Sequence, residues 1–219
     1  FIVCAKSPSC GMERVRLYDE KGNRGRKEGV GLFTGALMAR YPWLPVEEDG
    51  RLHDPLLREN FVERVFALHE LNALRARGLT RHGLLAFHSR YKLQLLAHHQ
   101  AGYREIGPFV ASLHEWEDLE AFFEVYREKL MAILKQPASR KNHTNVLMHI
   151  QGYFRDQLNS RQRGELREVI LNYRAGLLPI LAPLTLLKHY LAEYPDRYLQ
   201  AQNYFDPYPQ DLALRLTVN

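Results

Sequence analysis

What most constrains this chain is a run of capped, amphipathic segments that begins at Asp54 and continues almost to its end. Asp54-Pro55 is a strong helix start, with Asp as the cap and Pro at the first helical position. The helix it opens is expected to reach about Leu74, with Leu57, Phe61, Val65, Leu68 and Asn72 on one face. Thr80 caps a second helix that runs to about His99. Ser112 with Glu115 three residues on reads as a capping box. The helix behind it carries Leu119, Phe122, Phe123, Tyr126, Leu130, Ile133 and Leu134 at a 3.6-residue period. Two further helices are expected over 141–158 and 160–178, the second with Leu166, Val169, Ile170, Tyr173 and Leu177 on one face. A last one starts at Pro183 and ends near Tyr194, and Gln202 to Gln210, rich in aromatics and Pro, reads as an irregular strap.

Strand signals are confined to the start. Phe1 to Val3 reads as the end of a buried strand, and Val15 to Tyr18 alternates before a turn at Asp19 to Asn23. Gly25 to Gly31 is expected to be a loop, Val30 to Tyr41 a helix, and Leu44 to Glu47 one more short strand. The predicted class is mainly α: a short N-terminal α/β piece over 1–53, then an all-α domain over 54–219. The 219 residues suffice to bury a real core. No apolar run reaches the roughly 18–20 residues of a membrane span, and the best candidate, Ala175 to Leu187, is broken by Pro179 and Pro183. No basic segment precedes Phe1-Ile2-Val3, so no signal peptide is expected, and a start at Phe1 suggests the ordered part of a longer polypeptide. Two cysteines make no disulfide framework, which points to a reducing cytoplasm.

The net charge of +5 is unevenly spread. Leu71 to Arg104 contains no acid but carries Arg75, Arg77, Arg81, Arg90, Lys92 and Arg104, and four histidines. Arg140 to Ala192 has eight Lys or Arg against three acids. Such segregation suggests a positive face and a polyanionic partner such as nucleic acid, or simply an uneven solvated surface. His88, Lys92 and His99, with Arg81, share one column of a helix that is otherwise apolar nearly all round. Arg163, Arg167 and Arg174 form a second column. Ser139-Arg140-Lys141-Asn142-His143 opens a helix, where N–H groups and cations converge either as a phosphate site or as an exposed basic first turn. Tyr153 and Phe154 beside Arg155 offer either a stacking surface for a base or two core aromatics.

Both cysteines lie in Ile2-Val3-Cys4-Ala5-Lys6-Ser7-Pro8-Ser9-Cys10-Gly11. Their six-residue separation is not that of a zinc knuckle and no second pair exists. A turn before Cys10-Gly11 would expose N–H groups able to stabilise a thiolate. Spacing alone leaves a structural cysteine and a metal ligand both open.

Lys6-Ser7-Pro8-Ser9-Cys10-Gly11, Arg14-Val15, Gly29-Val30-Gly31-Leu32-Phe33, Leu44-Pro45-Val46-Glu47-Glu48 and Asp54-Pro55-x-Leu57-Arg58 resemble the C-terminal part of the thiouracil desulfidase (TudS) family. Phe87-His88-Ser89-Arg90-Tyr91-Lys92-Leu93, Tyr103-Arg104, Asn142-His143-x-Asn145-Val146-Leu147-x-His149, Gly152-Tyr153-Phe154, Tyr173-Arg174-x-Gly176 and Pro183-Leu184-Thr185-Leu186-Leu187 resemble a YbgA-type domain. Their fusion is similar to the RudS group, which removes sulfur from 4-thiouridine in tRNA. The resemblance implies a [4Fe-4S] cluster held by three cysteines, with an open iron that takes the substrate's sulfur. Cys10 matches the last of those ligands and Ser7 a serine implicated in catalysis. The other ligands and a catalytic Glu would lie upstream of Phe1, so this stretch alone is expected to be inactive, and Cys4 matches no ligand position. A soft thiocarbonyl sulfur suits thiolate-bound iron.

The expected partner is thiolated tRNA, or a small thiouracil, with no membrane involved. In the tRNA case the helical domain would grip phosphates through Arg81, His88, Arg90, Lys92, His99, Arg140, Lys141, His143, Arg155, Arg163, Arg167 and Arg174. Two alternatives stand beside it: a non-catalytic RNA- or polyanion-binding helical module, and a desulfidase of free thiobases.

Overall fold

The computed structural model describes residues 1–216 of the chain. Two small pairs of strands come first. β1 (Ile2–Val3) and β4 (Glu47–Glu48) run parallel, with Ile2 opposite Glu47 and Val3 opposite Glu48. β2 (Val15–Tyr18) and β3 (Arg24–Gly29) form an irregular antiparallel hairpin. The Gly- and Arg-rich stretch expected to be a loop is thus the second strand of that hairpin. Its exposed edge tolerates glycine and charge, which is why it reads as a loop. The strand expected over Leu44 to Glu47 begins three residues later, at Glu47, because Pro45 supplies only a carbonyl, which accepts from the Phe1 nitrogen at 2.7 Å. α1 (Leu32–Arg40) lies between the hairpin and β4.

The helical part opens with α2 (Pro55–Ala76), where the Asp54 carboxylate accepts the Leu56 and Leu57 N–H groups. Its buried face is Asn60, Phe61, Glu63, Arg64, Ala67, Leu68 and Leu71, while Val65 and Asn72 face solvent. Three polar or charged residues in that list, Asn60, Glu63 and Arg64, disguise the face in an apolar count. α3 (Arg81–His98) is capped by the Thr80 hydroxyl. α4 (Gln100–Ala111) was not legible: Gly102, Gly107 and Pro108 all argue against a helix, yet the His99 ring caps its first turn. Ser112 opens a 3₁₀ turn, not α5 (Leu119–Leu134), whose cap is Asp118. α6 (Arg140–Tyr153), α7 (Ser160–Arg174), α8 (Leu181–Glu193) and the short α9 (Arg197–Gln200) follow. Leu177, expected on the buried face of α7, lies beyond it and is exposed.

Two apolar clusters share α3. Leu84, Phe87, Tyr91 and Leu95 pack with α2, α4 and α5. Leu93 and Ala97 pack with α6, α7, α8 and the aromatic tail. A helix buried on both sides must be apolar nearly all round, as α3 is. The N-terminal piece is seated on the first cluster. Trp43 and Leu44 pack against it, and the Arg127 guanidinium lies 3.7 Å from the Trp43 ring centre. Among the described residues no helix is long and apolar enough to cross a membrane.

Candidate functional site

The turn from Lys6 to Gly11 is built as a cradle for Cys10. Lys6 takes a left-handed backbone conformation, φ 63°, to start it. The Ser7 Oγ then accepts the N–H of Cys10 at 3.1 Å and of Ser9 at 3.3 Å. Both bonds use the oxygen, so the Ser7 proton remains available. Below, α1 presents its uncapped N-terminus: Leu32 and Phe33 donate to the carbonyls of Pro8 and Ser9, and Thr34 Oγ1 to that of Cys10 at 2.8 Å. Gly31 is required at this approach, because a β-carbon there would lie 2.4 Å from the Ser9 carbonyl oxygen and 2.7 Å from the Cys10 nitrogen. On the other flank the buried Glu48 carboxylate accepts the Met12 and Glu13 N–H groups at 3.2 and 3.4 Å and the Arg14 guanidinium at 3.3 Å. Cys10 is half-buried and Cys4 exposed, and both are free thiols.

Among the described residues, no three His, Cys, Asp or Glu side chains converge to hold a metal ion. These residues do not by themselves fit an iron–sulfur cluster. The turn presents a half-buried free thiol on a residue whose backbone N–H is held by the Ser7 hydroxyl.

The cations foreseen from the sequence divide into two groups. Several are engaged internally. Arg81 donates to the Trp116 carbonyl, Arg90 pairs with Glu70 at 3.2 Å, and Arg163 donates to the Arg155 carbonyl. Arg140 donates to the Tyr173 carbonyl at 2.7 Å and lies over the Tyr173 ring. His88 is not on an exposed stripe: it is buried between α3 and α5, with Nδ1 3.2 Å from the Tyr126 hydroxyl. Burial, with Lys92 adding to it, pushes its pKa down to about 4, so at neutral pH it carries no charge for a phosphate. His99 serves as the cap of α4. Phe154 is core, whereas Tyr153 is partly exposed and stacks on Tyr198.

The second group makes no side-chain bond among the described residues. Lys141 on α6, Arg155 in the turn that follows it, and Arg167 and Arg174 on α7 are exposed, with the half-buried Arg163 also on α7. From Arg163 to Arg174 is eleven residues of α7, roughly 16 Å at 1.5 Å per residue.

One constellation was missed altogether. Glu59 and Glu63 on α2, His98 at the end of α3, His143 on α6 and Arg215 in the tail form a buried polar network. His98 Nε2 lies 3.0 Å from Glu63, and the His98 Nδ1 2.6 Å from the Gln136 carbonyl. Arg215 bonds Glu59 at 2.9 Å and approaches Glu63 at 3.5 Å. His143 Nδ1 meets the Tyr204 hydroxyl at 2.9 Å. Burial raises the Glu63 pKa, but His98 and Arg215 outweigh it and hold the group below the usual carboxylate range. Glu59 is pushed up by burial and by Glu63. His143 is driven down to about 3, first by burial and then by Arg215. The signal in the sequence was Glu59 and Glu63 one turn apart on an apolar face. Arg215, about 150 residues away, could not be assigned to them from spacing.

Comparison with known proteins bears on both halves. Residues 92–209 match the family described as a protein of unknown function (DUF1722). Residues 1–49 match 2-thiouracil desulfurase. The chain is 51% identical over 152 residues to the uncharacterized protein YbgA of Escherichia coli (strain K12), across 69% of this chain and 90% of that protein. No solved structure matches the chain.

Proposed function

The chain belongs to the YbgA-type (DUF1722) family, and from that premise we propose that it takes part in removing sulfur from thiolated uracil, with 4-thiouridine in tRNA as substrate. The observation that carries this reading is the match of residues 1–49 to 2-thiouracil desulfurase over the turn where Ser7 holds the N–H of Cys10. In this proposal Cys10 supplies one thiolate to a [4Fe-4S] cluster whose remaining ligands come from outside the described residues. The described residues do not complete the site of that group. What the chain itself does is specific. Ser7 fixes the direction of the Cys10 backbone, and its uncommitted O–H can donate a hydrogen bond to the pyrimidine or to a water that it orients. Thr34 and the start of α1 hold the turn rigid, which a positioned hydroxyl requires.

The helical domain supplies substrate position. Lys141, Arg155, Arg167 and Arg174, beside the internally engaged Arg163, are exposed cations able to meet several phosphates, and phosphate contacts orient a nucleic acid without reading its sequence. The setting is the cytoplasm. Incubating the intact protein with thiolated tRNA and with free 4-thiouracil tests the substrate class. Faster sulfur release from tRNA, lost in Ser7→Ala, is the expected result. Equal turnover of the free base would move the reading to a desulfidase of small thiobases.

One observation favours a second reading. These exposed cations lie within the described residues while a complete metal site does not, which suits a module that binds RNA or another polyanion and performs no chemistry. Salt-dependent tRNA binding without any sulfur release by the intact protein would establish it.

A further inference from the structure

A cavity of about 280 Å³ lies over the buried network, between α2, the Pro137–Ser139 turn and the end of α7. It contains no residue of the Cys10 turn. Its lining is apolar at Leu56, Pro137, Ala138 and Ile180, and polar at Glu59 and Asn60 on α2 and at Arg140 and His143 on α6.

Each polar residue keeps one bonding position unused among the described residues. Glu59 Oε1 accepts both Tyr208 and Arg215, which leaves Oε2. Asn60 Nδ2 donates to the Leu134 carbonyl, which leaves Oδ1 as an acceptor. Arg140 commits Nη1 to Tyr173, which leaves Nε and Nη2 as donors. His143 has Nδ1 on the Tyr204 hydroxyl, and with Tyr204 as the donor Nε2 carries the ring proton. Acceptors on α2 therefore face donors on α6 across a small space. Groups of both signs surround it: Glu59 and Glu63, with Arg140, Arg215 and the His98 ring, whose two nitrogens both face acceptors. The open acceptors on α2 would repel an anion, and the open donors on α6 would repel a cation. A neutral ring with an N–H donor flanked by carbonyl acceptors would satisfy both, its faces lying against the apolar residues. The volume sits at the lower end for small-molecule sites, about 300 Å³, and so suits one ring and not a larger ligand.

We propose that this cavity binds a single-ring heterocycle of the uracil class, whose N–H is taken by Glu59 or Asn60 and whose carbonyls are met by Arg140 and His143. The ring can arrive free, or as the base of a nucleotide whose sugar and phosphate stay outside the cavity. The site is separate from Cys10 and does not depend on chemistry there. The neutral state of His143 at pH 7 is consistent with its donating one N–H while accepting at the other nitrogen.

Calorimetric titration of the intact protein with uracil, and separately with uridine 5′-monophosphate, tests the proposal. One saturable site per chain is expected with at least one probe. Uracil as the tighter probe identifies the free base as the source, and the nucleotide as the tighter probe identifies a nucleotide. Arg140→Gln should weaken binding at least tenfold. Leu56→Trp, at an exposed position on the rim, should fill the cavity and abolish binding while the melting temperature stays that of the wild type. Because Leu56 belongs to none of the buried bonds, this variant decides the matter even where Arg140→Gln fails to fold. No saturable binding of either probe, or binding undiminished by Leu56→Trp, would overturn the proposal.

Discussion

The Oγ of Ser7 accepts the backbone N–H of Cys10 at 3.1 Å, so the residue proposed to handle the proton also sets the direction of the residue proposed to hold the metal. The two cannot be altered independently. Ser7→Ala removes a hydroxyl and also frees the N–H groups of Ser9 and Cys10. A net hydrogen bond is worth about 1 kcal/mol, so the stability cost should be small. Sulfur release should fall by far more, at least tenfold. Ser7→Thr, which keeps the oxygen, should restore the turn and part of the rate. Equal rates for Ser7→Ala and wild type, in a protein with the same melting temperature, would remove Ser7 from the chemistry.

Glu48 is a support of the same turn and is 1% exposed. Its carboxylate takes two N–H groups and the Arg14 side chain, where Arg14 itself has a left-handed backbone, φ 56°. Glu48→Ala leaves those buried donors unmatched, and a loss of about 1–3 kcal/mol is expected in chemical denaturation. Glu48→Gln should recover part of it, since an amide oxygen still accepts.

Breaking the pair between Arg215 and Glu63 should be costlier. Both side chains are almost fully buried, and without Arg215 the Glu59 carboxylate loses its charged partner and Glu63 keeps only His98. Arg215→Ala should lose about 3–5 kcal/mol. It should also loosen the tail, because Arg215 donates to the carbonyls of Tyr204 and Phe205. Unfolding monitored by urea titration measures both effects. An unchanged midpoint would show that the tail is not held in this way.

How much of this was legible in the sequence depended on range. The capped helices beginning at Asp54 and Thr80 and the period through Leu119 to Leu134 are local signals, and the fold follows them. α4 failed as a local signal because Pro108 and two glycines outvoted a histidine cap. His88 was misplaced for a different reason. On a helix packed on both sides, a polar column need not face water, and Tyr126 on α5 satisfies it inside. The network of Glu59, Glu63, His143 and Arg215 joins α2, α6 and the tail, so no window of sequence contains it.

The two buried histidines set the acid behaviour. His88 is held at about 4 and His143 at about 3, against 6.5 when exposed. Below pH 6.5 the unfolded chain takes up these protons and the native chain does not. Stability should therefore be full above about pH 6.5 and fall as the pH drops toward 3–4, at about 1.36 kcal/mol for each unit of displaced pKa. His88→Phe should flatten the pH dependence of the denaturation midpoint, and a slope equal to that of the wild type would contradict the assignment.

The cations along α6 and α7 predict a salt response. Reversing Arg167 or Arg174 to Glu should weaken tRNA binding across sequences alike and reduce the slope of log K against log salt by about one for each lost phosphate contact. Arg81→Ala, at a side chain already committed to the Trp116 carbonyl, should leave that slope unchanged. Filter binding from low to moderate salt checks both.

The most direct measurement uses the intact protein, purified without oxygen and incubated with native tRNA, with 4-thiouridine then quantified by nucleoside mass spectrometry. Loss of 4-thiouridine with the wild type and none with Cys10→Ser is the predicted result. Undiminished 4-thiouridine with both proteins, or equal loss with both, would contradict the proposal that the Ser7–Cys10 turn serves the removal of sulfur from tRNA.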